Sequence, residues 1–243
     1  MRTSLSTFNL YNFPLSRLEP GKKLLINTLN AYSFKLVQND ENFLIALRGS
    51  DILLPDGISI VLAALLLYRQ RLKKIAGADL FFYEMERINQ AGGKCFFLGS
   101  SEETLKLIRD NAANEYPGLK IYTYSPPYKP EFSKEDNKAM IEAVNAVSPD
   151  VLFVGMTAPK QEKWAYNNFS DLRAGHVCCI GAVFDFYAGT FRRAPAWMIF
   201  IGLEWFYRLI MEPRRMWRRY LIGNITFVYL ILLEFVFGKG KNK

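Results

Sequence analysis

One aspartate stands where a catalytic carboxylate could act. Asp56 follows the apolar run 51–54 and Pro55, and Gly57 lets the backbone turn sharply beside it. The carboxyl end of a strand is where ligands bind in an open α/β sheet, and a carboxylate there could take a proton from a hydroxyl group. The alternative is that Asp56 caps the helical pattern at 58–70, and spacing alone favours this alternative.

The turn at 159–162 offers a different kind of site. Pro159 suits the first turn of a helix, and it follows the apolar run 151–154. The free N–H groups at a helix start bind nucleotide phosphates or sugar oxygens. Gln161 is therefore a candidate contact for a bound phosphate or sugar group, whereas Glu162 could equally be a partner of the helix dipole or a structural residue.

These residues lie at the ends of short apolar runs that alternate with longer amphipathic stretches. The runs predict buried strands and the stretches predict helices, which together indicate an α/β fold with a mainly parallel, Rossmann-like sheet flanked by helices. The predicted strands cover 24–26, 51–54, 95–98, 151–154 and 177–180, with a weaker candidate at 120–123, and the predicted helices cover 58–70, 78–91, 102–116, 134–147 and 160–169.

Glycines follow several of the predicted strands. Gly99 and Gly155 lie where helix starts could offer N–H groups to a phosphate, although a tight turn alone could also require them. Ser101 is expected to cap the helix that follows it. The sequence contains no GxGxxG motif and no Walker loop, which argues against a dinucleotide-binding oxidoreductase.

Composition narrows the chemistry further. The 243 residues carry a net charge of +8, which points to nucleic acid, a phosphorylated substrate or an anionic lipid as partner. The three cysteines and single histidine lack the spacing of a zinc site or a disulfide framework, so we expect buried thiols in a reducing compartment. Residues 1–18 lack the apolar core of a secretory signal, and we expect a cytoplasmic protein.

Positive charge is concentrated after about residue 190. Seven arginines between 192 and 219 alternate with aromatic residues, and a nearly apolar stretch at 220–237 and a basic tail at 239–243 follow. The apolar stretch contains Glu234 and is marginal for a transmembrane helix, and no nucleic-acid-binding motif is present. The pattern favours a helix lying on an anionic membrane surface, with a helical layer of the core or an oligomer interface as alternatives.

A series of short blocks resembles the WecG/TagA/CpsF glycosyltransferases, glycosyltransferase family 26. Each block alone is weak, but their order along the chain is highly specific. The blocks extend from about Leu24 to Tyr220: TLN (28–30), LPDG (54–57), AGADL (76–80), FLG (97–99), YPGL (116–119), VGMTAPKQE (154–162), GAVFDFYAG (181–189), RAP (193–195), GLEWFYRL (202–209) and EPR (212–214).

The resemblance implies transfer of a hexosyl residue, of the N-acetylmannosamine type or a related uronic acid, from a UDP-sugar to a polyprenyl-diphosphate-linked saccharide. This step belongs to cell-wall or surface polysaccharide synthesis. The family is thought to invert the anomeric centre without a metal-binding DxD motif, and this sequence contains none, so we expect neither metal nor other cofactor. In such a displacement a base removes the acceptor proton while positive charge or N–H groups stabilise the departing diphosphate. The resemblance makes Asp56 the expected base.

The resemblance also suggests roles for the other candidates. Thr28 and Asn30 match a family Thr-x-Asn and are expected to hydrogen-bond the sugar or place the attacking hydroxyl, although both residue types also make local turns. Lys74 stands where the family usually has arginine; it keeps the charge for a diphosphate contact but loses the bidentate geometry, and a solvated helix-end lysine is the alternative. The remaining expected contacts are Gly57, Gly99, Gly155, Lys160, Gln161, Glu162, Asp185, Arg193, Arg208 and Arg214. For Asp185 a role in loop architecture is equally open, and the arginines could instead reach lipid headgroups.

We therefore expect a catalytic α/β domain at 1–190 and a basic, aromatic-rich helical appendage at 191–243 that completes the active site at the membrane. The expected partners are a UDP-sugar, the lipid-linked acceptor and the anionic inner face of the cytoplasmic membrane, without nucleic acid. Residues 12–21 leave room for little more than a loop where the family commonly has a helix, which leaves the homo-oligomeric state open. A noncatalytic, nucleotide-binding adaptor at the membrane surface is the main alternative.

Overall fold

The computed structural model describes residues 2–237, and its centre is a six-stranded parallel sheet. The strand order is β2-β1-β6-β5-β3-β4, and each neighbouring pair runs in the same direction. The predicted α/β fold with a mainly parallel sheet is confirmed. The strands are β1 (Leu24–Leu29), β2 (Ile52–Pro55), β3 (Lys94–Gly99), β4 (Lys120–Tyr124), β5 (Val151–Gly155) and β6 (His176–Cys179).

Helices flank the sheet on both faces. All five predicted helices form, with ends that differ from the prediction by at most two residues. Ser101 caps its helix as expected, accepting a hydrogen bond from the N–H of Thr104 at 3.2 Å. The helices are α1 (Ala31–Leu36), α2 (Glu41–Arg48), α3 (Ile58–Tyr68), α4 (Gly77–Gln90), α5 (Glu102–Glu115), α6 (Lys134–Val147), α7 (Lys160–Asn168), α8 (Val183–Tyr187), α9 (Ala196–Phe200), α10 (Glu204–Met211), α11 (Pro213–Trp217) and α12 (Gly223–Phe237).

The crossover from β1 to β2 contains two helices, α1 and α2, that the sequence analysis missed. Each begins at a capping side chain: Asn30 accepts a hydrogen bond from the N–H of Ser33 at 3.0 Å, and Asp40 accepts one from Phe43 at 2.9 Å. Both helices are eight residues or shorter, so neither repeats its apolar pattern often enough to stand out. The capping residues were the available signal.

The strands bury apolar side chains on both faces, as their continuous apolar runs predict. Phe97 and Phe153 contribute to a core cluster with α4, α5 and α8 on one face. The opposite face packs against α6 and α7 near β5, and against α1, α2, α3 and α12 near β1 and β2. The site at the strand ends therefore rests on a sheet that is covered on both sides.

Tight packing explains the two glycines at the ends of β3 and β5. A Cβ on Gly155 would lie 2.4 Å from the ring of Phe184, and a Cβ on Gly99 would lie 2.4 Å from the carbonyl oxygen of Gly155. Gly99 also has a φ of +120°, which side-chain-bearing residues rarely adopt. The fold itself requires these glycines, and a contact between either of them and a substrate stays a prediction.

The C-terminal part forms a long helix that lies against the rest of the protein. Residues 213–237 are helical throughout, with one π-helical turn, Arg218–Ile222, between α11 and α12. By length and composition this 25-residue helix could cross a membrane, but α12 buries Phe227 and Ile231 in the cluster that contains Phe34. The basic tail at 239–243 lies outside the described residues, and the division of the chain near residue 190 stays a prediction.

Residues 12–21 contain a single short 3-10 turn, Leu15–Arg17, in agreement with the expected loop. A second 3-10 turn, Leu5–Thr7, lies nearer the N-terminus and contacts α12 through Glu234. The Glu234 carboxylate accepts a hydrogen bond from the N–H of Leu5 at 3.0 Å and further hydrogen bonds from the hydroxyl groups of Ser4 and Tyr68. This glutamate fastens α12 both to the N-terminal segment and to the end of α3.

Replacement of Glu234 by alanine is expected to loosen α12. A hydrogen bond to a charged acceptor contributes about 1.5–3 kcal/mol, and water can replace part of the three partly exposed bonds to Glu234, so the total loss of stability in urea unfolding should be about the value of one such bond. Amide hydrogen exchange across 223–237 should accelerate more than exchange in the central strands. Glu234→Gln keeps an acceptor oxygen, so its stability and its exchange rate in α12 should lie between those of the wild type and the alanine variant. Unchanged exchange in α12 of the alanine variant would show that the apolar contacts alone hold this helix.

Candidate active site

The neighbouring ends of β1 and β2 bring Asp56 and Asn30 together. The N–H of Asp56 donates to the carbonyl oxygen of Leu29 at 2.9 Å, which fixes the aspartate beside the end of β1. The side chain of Asn30 hydrogen-bonds the Asp56 carboxylate, and its Oδ1 also caps α1. Asn30 thus makes a local cap and positions the carboxylate at the same time.

Asp56 does not cap α3. The residue at the N-cap position is Gly57, which has a φ of +102° and offers no side chain for capping. The alternative role considered for Asp56 is therefore wrong. Gly57 supplies the positive φ that turns the chain from β2 into α3. The Asp56 carboxylate is therefore not used to cap this helix.

The environment of Asp56 raises its pKa to about 6. Burial is the largest cause, because it removes water from the charged form, and the negative charge of Glu204 acts in the same direction. The hydrogen bond from Asn30 and the positive charges of Lys74 and Arg219 oppose this increase. The carboxylate is still ionised at neutral pH, but it is a stronger base than an aspartate in water, as general-base catalysis requires.

Arg219 is a candidate functional residue that the sequence analysis did not select. It lies in the π-helical turn, and its positive charge lowers the pKa of both Asp56 and Glu162. Its guanidinium lies 4.8 Å from the ring centroid of Tyr32 on α1. Within the described part of the chain, its buried Nε has no hydrogen-bond partner. Arg219 is therefore a cation with an unsatisfied buried donor, and its charge reaches two carboxyl groups.

Sequence spacing could not distinguish Arg219 from the neighbouring arginines as the one that faces the site. Four arginines lie between 214 and 219, and the π-helical turn changes which of them faces the body of the protein. The aromatic contact with Tyr32 joins positions that are far apart in the sequence. Only the packing of α1 against the C-terminal helix identifies this arginine.

Gln161 and Glu162 form a buried pair at the start of α7. The Oε1 of Gln161 accepts a hydrogen bond from the N–H of Met156 at 3.1 Å, and its Nε2 donates to Glu162 at 2.8 Å. Both ends of the amide are thus engaged within the protein. Within residues 2–237 the Oε2 of Glu162 has no partner. Burial raises the pKa of Glu162 to about 7, against the opposing effects of Gln161 and Arg219.

Two further predicted residues lie near Asp56. Lys74 is partly buried, and its Nζ donates to the carbonyl oxygen of Ile199 at 3.4 Å, so it is not a fully solvated lysine. Its positive charge lowers the pKa of Asp56, as expected for a residue of the same site. Thr28 lies inside β1, opposite Leu54 of β2, because the strand continues to Leu29 and does not end at residue 26.

The remaining predicted contacts lie against protein groups or at the surface, although within the described residues the buried Nε of Arg208 also has no hydrogen-bond partner. The Nζ of Lys160 lies 3.5 Å from the ring centroid of Phe132 and donates to the carbonyl oxygen of Lys129. Arg208 is buried, and its guanidinium lies 5.1 Å from the ring centroid of Phe186, so in this arrangement it cannot reach lipid headgroups. Asp185 approaches Arg215 at 3.9 Å, Arg193 pairs with Glu204 at 3.3 Å, and Arg214 is exposed.

The histidine and the cysteines have structural surroundings. Nδ1 of His176 lies 2.8 Å from a carboxylate oxygen of Glu84, and both side chains are buried. All three cysteines are buried free thiols, and burial raises the pKa of Cys95 to about 12. Among residues 2–237, no three His, Cys, Asp or Glu side chains form a group that could hold a metal ion.

Comparison with known proteins gives the same family as the sequence blocks. The model of the glycosyl transferase WecG/TagA/CpsF family matches residues 3–241. An N-acetylglucosaminyldiphosphoundecaprenol N-acetyl-beta-D-mannosaminyltransferase of Bacillus subtilis (strain 168) is 32% identical over 81% of this chain and 75% of its own length. A protein of the same description from Bacillus spizizenii (strain ATCC 23059 / NRRL B-14472 / W23) is 30% identical over 84% of this chain and 77% of its own length. The chain belongs to the WecG/TagA/CpsF family of glycosyltransferases.

Proposed function

We propose that this chain is an inverting glycosyltransferase that moves a hexosyl residue from a UDP-sugar to a polyprenyl-diphosphate-linked saccharide. The observation that carries the proposal is the Asp56 carboxyl, held by Asn30 at the end of β2 and raised in pKa to about 6. The two Bacillus relatives are described as N-acetylmannosaminyltransferases that act on N-acetylglucosaminyldiphosphoundecaprenol. Their descriptions favour N-acetylmannosamine over a related uronic acid as the transferred sugar.

The reaction is a single displacement at the anomeric carbon. The ionised Asp56 takes the proton of the acceptor hydroxyl while that oxygen forms its bond to the anomeric carbon. The bond from this carbon to the diphosphate oxygen breaks at the same time, and UDP leaves with the electron pair. UDP departs from the face opposite the attacking hydroxyl, and we propose that Arg219 and Lys74, whose charges reach Asp56, stabilise the negative charge that develops on the diphosphate. We expect no metal ion to take part.

The C-terminal helices are proposed to complete this site at the membrane. Glu204 of α10 and Arg219 of the π-helical turn both change the pKa of Asp56, so the appendage already acts on the candidate base. The lipid-linked acceptor is confined to the bilayer, and an enzyme that uses it must work at the surface. We therefore propose a peripheral position on the inner face of the cytoplasmic membrane.

The test is UDP release by the purified chain with a panel of UDP-sugars, with and without a GlcNAc-diphosphate-polyprenyl acceptor. One donor is expected to give acceptor-dependent turnover, and NMR of the product should show the inverted anomer. Retention of the anomeric configuration would exclude the direct displacement. Tight UDP binding without turnover on any acceptor would instead support the noncatalytic adaptor.

A further inference from the structure

Helix α3 is apolar on both of its faces. Its inner face packs in the core through Ile60, Ala63 and Ala64. Its outer face exposes Leu62, Leu65 and Leu66, which are 55%, 44% and 50% exposed. One exposed leucine is normal on a protein surface, but three on one face of a short helix indicate an apolar neighbour.

Helices α12 and α9 extend this apolar surface. Phe227 and Ile231 of α12 lie in the same buried cluster as the inner face of α3, so the outer faces of both helices point away from that cluster. At the other end, a Cβ on Gly202 would lie 2.7 Å from the side chain of Ile58, which places the end of α9 against the start of α3. The exposed apolar side chains on these two helices include Trp197, Phe200, Ile225, Val228, Leu232 and Val236.

Cations border the surface. Residues 57–78 contain no aspartate or glutamate, and the exposed Arg69, Arg71 and Lys73 follow directly after α3. The guanidinium of Arg2 lies 5.9 Å from the ring centroid of Tyr229 on α12. A second copy of this chain seated on the same face would bring these cations close to each other, and like charges across an interface oppose association. An anionic bilayer offers an apolar interior together with the complementary charge.

We propose that α3 and the basic segment 69–73 form a membrane-contacting surface within the α/β part of the chain, and that this surface adjoins α9 and α12. The leucines would enter the boundary between headgroups and acyl chains, and the cations would contact anionic headgroups. Because α3 begins two residues after Asp56, this orientation also holds the base at headgroup depth. The diphosphate of a lipid-linked acceptor lies at headgroup depth, beside the base in this orientation. This consequence rests on the proposed function.

The test is co-sedimentation of the full-length protein with vesicles of phosphatidylcholine, with and without phosphatidylglycerol. Leu62→Glu/Leu66→Glu is expected to weaken binding to the anionic vesicles by about tenfold or more, because two apolar side chains lose their burial. Arg69→Gln/Arg71→Gln/Lys73→Gln should weaken binding by about fivefold per removed charge, and only where phosphatidylglycerol is present. Circular dichroism and thermal unfolding should show that each variant is folded.

The matched control is Phe82→Glu/Leu107→Glu. These two side chains are 43% and 42% exposed on α4 and α5, on the opposite face of the sheet, and their replacement should leave vesicle binding unchanged. Wild-type binding by the leucine variant would overturn the proposal. The proposal would also be overturned if the leucine variant bound vesicles normally but changed its oligomeric state in light scattering. The face would then be an interface between two copies of the chain. UDP release with a short-chain, water-soluble diphosphate acceptor tests the proposed function separately, because that assay requires no membrane contact.

Discussion

Asp56→Asn is expected to reduce acceptor-dependent UDP release by about 10²- to 10⁴-fold, the range by which a positioned general base accelerates a reaction. Asparagine has nearly the same shape and can still contact Asn30, but it cannot accept the acceptor proton at neutral pH. Binding of UDP should persist, because the loss concerns the attacking hydroxyl. Asp110→Asn, on the exposed side of α5, removes an equal charge far from β2 and should have no effect.

The pH dependence gives this prediction a second readout. Asp56 acts in its ionised form, so kcat/KM should rise with pH, reach half its limiting value near pH 6 and level off above it. The raised pKa also has a consequence for stability. The native state binds this proton more tightly than the unfolded chain, so the ionised carboxyl costs stability above about pH 6, and this cost is relieved as the pH falls towards the ordinary value of 3.8.

Asp56→Asn should therefore unfold at the same or a higher temperature than the wild type at neutral pH. A thermal unfolding scan of both proteins measures this difference, while urea unfolding checks that the variant stays cooperative. Loss of activity together with equal or greater stability would be the signature of a residue that serves catalysis at the expense of the fold. Turnover close to wild type would show that another group is the base. A lower unfolding temperature would show that the carboxylate has a structural role.

The central sheet could be predicted because its strands are buried on both faces and read as continuous apolar runs. The strands at 95–98 and 151–154 are examples, and each extends by only one residue at one or both ends. Asp56 was selected as a candidate partly for a similar reason, since the end of a parallel strand marks the ligand-binding edge of the sheet. Its role as the base came from the family resemblance and stays a prediction. The short helices α1 and α2 were missed because they contain too few turns for a clear period.

Side-chain partners could not be predicted from local pattern. Gln161 is a good candidate contact by its place at a helix start, yet both ends of its amide are used by Met156 and Glu162. Arg208 has the charge for a phosphate or headgroup, but it lies buried against Phe186 and Phe191. The partners of Gln161 are close in sequence, but only the conformation of the turn between β5 and α7 directs its amide towards them. The rings beside Arg208 come from α8 and the residues after it, and the packing of these segments cannot be read from local pattern.

Arg219→Gln is expected to lower kcat by about 10²- to 10³-fold, because preorganised groups that stabilise developing negative charge typically contribute this much. Its buried, unpartnered Nε can donate to a bound group, and we expect Arg219 to contact the UDP diphosphate as that group gains charge. Arg219→Lys keeps the charge but loses the planar geometry, and it should recover part of the activity. Arg214→Gln removes the same charge from an exposed position on α11 and should reduce kcat by no more than a few-fold.

The pH profile separates a direct role for Arg219 from a purely structural one. Its charge lowers the pKa of Asp56, so its removal should move the acidic limb of kcat/KM to higher pH, away from the wild-type midpoint near 6. A variant that only loosened the contact with Tyr32 would lose stability and leave that midpoint in place. If Arg219→Gln and Arg214→Gln lost activity equally, the effect would come from the general charge of the appendage. An effect confined to Arg219, with a shifted midpoint, would mean that the C-terminal helix supplies part of the catalytic site, and that detaching this helix would switch the enzyme off.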